Sequence, residues 1–260
     1  MGHNRLGTLP DTAPWRRVVA LIADNADVAD VALATTRAAL HGLELAKGDT
    51  GLIYSFWLLA QIALASRQAD FGEALREAGI SVEGRQPALF DIVGAFSETV
   101  DLHLHSTGHR TDIGEMGQLA AVESLASLLR QRSTHFFETS PADVQRAARE
   151  LSTRQGFATL AHDFFARFMQ RFLTYHLGRE LANHVGGNGC FADPAEHDEF
   201  VENLRVHCRE AAGIMRTYAG DWYSKANFER AMTPVKARNF VNYSLEKLRK
   251  ELAIRGNRDE

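Results

Sequence analysis

Cysteine, proline and lysine are scarce in this chain of 260 residues, which holds two, six and five of them. Cys190 and Cys208 are too few for a disulfide framework, and the expected setting is the reducing cytoplasm. Six prolines leave long stretches free to be helical. Long apolar runs are missing too. The most apolar segment, 52-LIYSFWLLAQIALA-65, falls short of the roughly 20 residues a membrane span needs and is broken by Gln61. It reads as a helix buried on most sides, with no membrane partner expected. The opening 1-MGHNRLGTLPDTAPWRR-17 has no apolar signal-peptide core. Nucleophile elbows and Walker loops are likewise absent, since 47-KGDTG-51 lacks the Gly-Lys-Ser/Thr ending of a P-loop.

What is present is helical punctuation. Asp70 with Glu73, and Asp112 with Glu115, have the spacing of an N-cap and its third helical residue. Ser140-Pro141, Asp193-Pro194 and Thr233-Pro234 place a capping side chain before a proline at the first helical position, where no N–H is needed. Gly79, Gly108 and the 186-GGNG-189 cluster can supply the left-handed residue that ends a helix. Between these marks the apolar period is 3.6: Leu89, Val93, Phe96, Val100 and Leu104 in one segment, and Phe157, Leu160, Phe164, Phe168, Phe172 and Leu177 in another. Phe165 and Met169 widen the second stripe, which belongs at the centre of the core. Only 17-RVVALI-22 offers a rival strand.

The fold expected is all-α, a compact, non-repeating bundle of about nine to eleven helices around that aromatic-rich helix. A chain of this length and 45% hydrophobic content can bury one core, which grows to roughly 250–300 residues. One domain across 1–260 is expected, with 186–194 as the place where a subdomain joint would fall.

The stretch 101-DLHLHSTGH-109 resembles the opening Asp-x-His-x-His of the polymerase-and-histidinol-phosphatase hydrolases, over about seven residues. The resemblance implies a metal-dependent hydrolase, with the motif at a strand end near the start of a barrel and further His, Glu and Asp ligands after it. Here the motif lies mid-chain on the helical stripe that ends at Leu104. Residues two apart on a helix point about 200° from each other, so His103 and His105 would not share an ion.

The other metal-like sets meet similar limits. In 176-HLGRELANH-184, His176 and His184 are separated by roughly 12 Å of helical rise, and the segment reads as polar surface. Cys190, His197, His207 and Cys208 lack a Cys-x-x-Cys knuckle, and the last two would diverge on a helix. No catalytic residue, metal ligand or cofactor is assigned.

Local chemistry is concentrated at the C-terminus. Four of the five lysines, Lys225, Lys236, Lys247 and Lys250, fall in the last 36 residues. In 234-PVKARNFVNYSLEKLRKEL-252 the apolar stripe is Val241, Leu245, Leu248 and Leu252, with Lys236, Tyr243, Lys247 and Lys250 opposite it. Arg230 and Lys225 precede this helix in 222-WYSKANFER-230. Basic residues interleaved with aromatics can track phosphates and stack bases. Residues 220–260 carry nine basic and six acidic side chains, in a chain whose net charge is −4.

Three functional expectations follow. The first is a non-catalytic helical adaptor or structural subunit of a bacterial multi-protein system, acting through protein contacts and compatible with homo-oligomers. The second is nucleic-acid binding through Lys225, Arg230, Lys236, Tyr243, Lys247 and Lys250. The metal-dependent hydrolase comes last.

Overall fold

The computed structural model describes residues 13–24, 26–108, 110–133, 140–183 and 193–255. Among them there is no β-strand, and the all-helical expectation holds. Twelve α-helices and a 3-10 turn are described, a count raised above nine to eleven by short helices that carry too few turns for a clear period.

The first three helices are α1 (Ala13–Ala23), α2 (Val28–Ala38) and α3 (Leu40–Ala46). The segment 17-RVVALI-22 lies within α1, which buries Trp15, Val18 and Ile22. A 3.6-residue period accounts for it, and a strand does not.

Two helices then start together. The Asp49 carboxylate caps α4 (Thr50–Ala65) by accepting from the Leu52 amide at 2.8 Å. Its other oxygen accepts from the Thr111 hydroxyl at 2.6 Å. Thr111 in turn caps α7 (Asp112–Arg132), accepting from the Gly114 amide at 2.8 Å. The cap therefore falls one residue before Asp112, whose carboxylate instead accepts from the Tyr175 hydroxyl at 2.8 Å. Glycines let α4 and α7 approach closely. A Cβ on Gly51 would stand 2.7 Å from the Gly114 Cα, and one on Gly117 would stand 2.9 Å from the Leu52 Cα.

Between them, α5 (Phe71–Glu77) opens on Asp70, which accepts from the Glu73 amide at 2.9 Å. The next helix, α6 (Leu89–Thr107), buries Phe96, Val100 and Leu104 and stops at Gly108, whose φ is 67°. The expected caps also open α8 (Pro141–Leu151) at Ser140, α10 (Pro194–Ala211) at Asp193 and α12 (Pro234–Arg255) at Thr233. A 3-10 turn (Ala212–Thr217) joins α10 to α11 (Ala219–Phe228). Residues 186–192 of the expected joint lie outside the described residues.

The longest described helix is α9 (Arg154–Asn183), and it occupies the centre. It packs against α2, α4, α7, α8, α10, α11 and the 3-10 turn. Every residue of its expected stripe is buried. Phe56 of α4 is the meeting point of the rings. It touches Phe157, Phe164 and Phe165 of α9, Trp222 of α11 and Phe240 of α12, with centroids 5.1–6.0 Å apart. One contiguous buried cluster extends from Trp15 to Leu252.

Phe164→Ala is expected to lower unfolding free energy by about 3–5 kcal/mol in denaturant titrations, the range for truncating a fully buried phenylalanine. A loss under about 1 kcal/mol would remove α9 from the core. Two glycines make a second comparison. Gly94→Ala, with nothing within 4 Å of the added Cβ, should stabilise by up to about 1 kcal/mol through helix propensity. Gly117→Ala gains the same propensity but drives into the α4 backbone and should destabilise on balance.

Candidate functional site

The side of α9 turned from the core carries an i, i+4 row of Thr159, Asp163, Arg167 and Arg171. Asp163 is only 4% exposed. A carboxylate so placed needs compensating donors, and two arginines supply them. Arg167 Nε donates to one oxygen at 2.7 Å, and Arg209 Nη1 of α10 donates to the other at 3.1 Å. Glu123 of α7 accepts from Arg167 at 3.2 Å and also from Arg171.

His162, next to Asp163 and 3% exposed, fastens α9 to the end of α10. Its Nε2 lies 2.8 Å from the Arg209 carbonyl, which can only accept, so Nε2 carries the proton. Nδ1 is then the acceptor for Arg216 Nη2 at 3.2 Å. Burial lowers the His162 pKa, and the adjacent Arg216 and Arg209 charges add to the effect. The ring is neutral at pH 7 with both nitrogens engaged, so it is a brace between elements.

Over this pair opens a cleft of about 860 Å³ between α7, α9 and α10. Arg130 and Arg132 from the last turn of α7 line it together with Arg167 and Arg209, with Asp163 the one lining carboxylate among the described residues. Ser127, Gln131 and Thr159 add neutral hydrogen-bonding groups. Arg130 and Arg132 have no acidic partner among the described residues, although cations in the last turn of a helix are favoured by its dipole.

A second surface is aromatic. His103 stacks on Tyr54 with centroids 3.7 Å apart and an 11° interplanar angle, while Trp57 lies 5.4 Å from Tyr54. Trp57 Nε1 donates to the Met232 carbonyl at 3.0 Å, anchoring the turn between α11 and α12. Either side of that turn, Phe228 is 89% exposed and Val235 63% exposed.

His103 and His105 occupy the last turns of α6, the first half-buried against Tyr54 and the second exposed. No group of three or more metal-ligand side chains converges among the described residues. Cys208 is fully buried, and burial pushes its thiol up to about 12; Cys190 and His184 lie outside the described residues.

His176, expected on a polar surface, is instead packed among the rings of Trp15, Phe172 and Tyr175. It follows Phe172 by four residues and so shares its face. Its Nε2 is buried without a hydrogen-bond partner among the described residues.

The C-terminal basic residues fall into two groups, each around a glutamate. Lys225 and Lys236 lie near Glu229, which Lys236 contacts directly, and both hold its carboxyl below the usual range. Arg230 is exposed in the turn between them, with φ of 49°. Further along α12, Lys247 sits 5.3 Å above the half-exposed Tyr243 ring. Lys250 and Lys47 flank Glu246, and Lys47 bonds to it at 2.8 Å. Lys236 and Lys250 are about 21 Å apart along the axis, so the set is not one compact site.

The arginine cleft was missed because its parts come from three helices. The local trace in the sequence was His162-Asp163 inside an otherwise aromatic stripe, with Arg167 one turn on. No protein-family model, characterised protein or solved structure matches this chain.

Burial holds the His176 pKa down at about 4, well below 6.5 for a solvated imidazole. The unfolded state therefore binds more protons between these values, and stability falls as pH drops from 6.5 towards 4. The full loss from this residue is up to about 3 kcal/mol. Denaturant titrations of wild type and His176→Phe at pH 7 and pH 5 should show a shallower acid loss in the variant. Equal losses would remove His176 as the cause.

Proposed function

We propose that this chain is a non-catalytic helical adaptor or structural subunit of a bacterial multi-protein assembly, working through protein contacts in the cytoplasm. The observation that carries the reading is the aromatic surface around the α11–α12 turn. Phe228 and Val235 project into solvent beside a turn that Trp57 fixes from below. Large apolar side chains on a fixed support suit the anchor role that buried aromatics play in protein interfaces. Tyr54, His103 and Leu102 continue the surface on the neighbouring helices.

The described residues also include no helix long and apolar enough to cross a membrane. Nucleic-acid binding by the C-terminal basic face is the competing reading. Its lysines are divided between Glu229 and Glu246, which partly neutralise them, and Lys247 already covers the Tyr243 ring that a base would stack on.

Tagged wild-type protein and a Phe228→Ser, Val235→Ser variant, matched by circular dichroism, should be recovered from the native host with nuclease present. The expected result is a stoichiometric protein partner with wild type that is lost with the variant. No such partner, or the same recovery with both, would overturn the adaptor reading.

A further inference from the structure

We infer that the cleft between α7, α9 and α10 binds a compact, multiply charged phosphate-bearing anion, of the kind presented by pyrophosphate or the phosphate chain of a nucleotide. This inference is independent of the adaptor reading and uses a different surface. Four arginines, Arg130, Arg132, Arg167 and Arg209, surround one cleft with a single lining carboxylate among the described residues. Their guanidinium forks match phosphate oxygens in shape as well as charge.

Two of the four are already held in place. Asp163, buried and bonded to Arg167 and Arg209, orients both groups before any ligand arrives, and Glu123 holds Arg167 from a second direction. That ordering lowers the entropy lost on binding. Arg130 and Arg132 have no acidic partner among the described residues.

The charge thins on both sides, which limits the ligand's size: the adjoining concavity adds only Arg216, held by His162, as an arginine without an acidic partner among the described residues. In the adjoining concavity Arg154 is bonded through two nitrogens to Asp221. On the other side Arg171 is bonded to Glu123, and Arg205 to Glu202. A polynucleotide needs a continuing basic track and aromatic platforms. The described lining of the cleft has no Phe, Tyr or Trp, and its one imidazole, His162, is engaged at both nitrogens, so recognition rests on phosphate groups.

Isothermal titration at low ionic strength tests this with full-length protein and four probes: inorganic phosphate, pyrophosphate, ATP and a twelve-residue oligothymidylate. The expected order places pyrophosphate above phosphate, with ATP no tighter than pyrophosphate. Arg130→Gln with Arg132→Gln should weaken pyrophosphate by about tenfold or more, while Lys247→Gln with Lys250→Gln leaves it unchanged. Thermal melting without ligand confirms that both variants are folded.

Absence of saturable binding to phosphate and pyrophosphate would overturn the inference, as would wild-type affinity in the Arg130, Arg132 variant. ATP binding tenfold tighter than pyrophosphate would overturn recognition by phosphate alone. Oligothymidylate binding tighter than pyrophosphate and lost with the same arginines would make the cleft a nucleic-acid groove.

Discussion

Phe56 is where the structure is held. A single ring from α4 is enclosed by three rings of α9, one of α11 and one of α12. Aromatic pairs add about 0.5–1.5 kcal/mol each beyond the area they bury. Their geometry also limits how the three helices can turn around α4. The close approach of α4 to α7, permitted by Gly51, Gly114 and Gly117, adds a fourth helix to the same frame. The surfaces of α7, α9, α11 and α12 therefore inherit their relative positions from one packed centre.

The two candidate surfaces are outer faces of that frame. Inward, α9 presents Phe157, Phe164 and Phe168; outward, it presents Thr159, Asp163 and Arg167. The buried Asp163 would be a liability if Arg167 or Arg209 left it, because a lone buried carboxylate is strongly unfavourable. That dependence fixes the arginines, and the neutral His162 brace fixes the end of α10 beside them. On another side, Trp57 reaches from α4 to the Met232 carbonyl and sets the turn from which Phe228 projects. In both places a side chain rooted in the frame positions a group at the surface.

The periodic aromatic stripe made the central helix legible, and short-range capping chemistry marked Asp70, Ser140, Asp193 and Thr233 as helix starts. At Asp112 the spacing was right but the cap belongs to Thr111, whose hydroxyl also reaches Asp49, a residue distant in sequence. His176 has a polar side chain at a core position four residues after Phe172, so residue type alone points to the surface where position points inward. The C-terminal lysines were visible as a basic face, but not their division between Glu229 and Glu246. The arginine cleft was illegible for a stronger reason. Arg130, Arg167 and Arg209 lie on three helices, and only tertiary packing brings them to one opening.

The cleft wall and the aromatic centre behave as one cooperative unit. Native-state hydrogen exchange across a denaturant series tests it directly, since segments that open together share a free energy and a denaturant slope. The amides of residues 157–173 in α9 and 52–62 in α4 should exchange only through global unfolding, with one common value. Opening of the Thr159–Arg167 turns at a clearly lower free energy than α4 would contradict the claim, because the cleft would then rest on a segment that moves independently of the core.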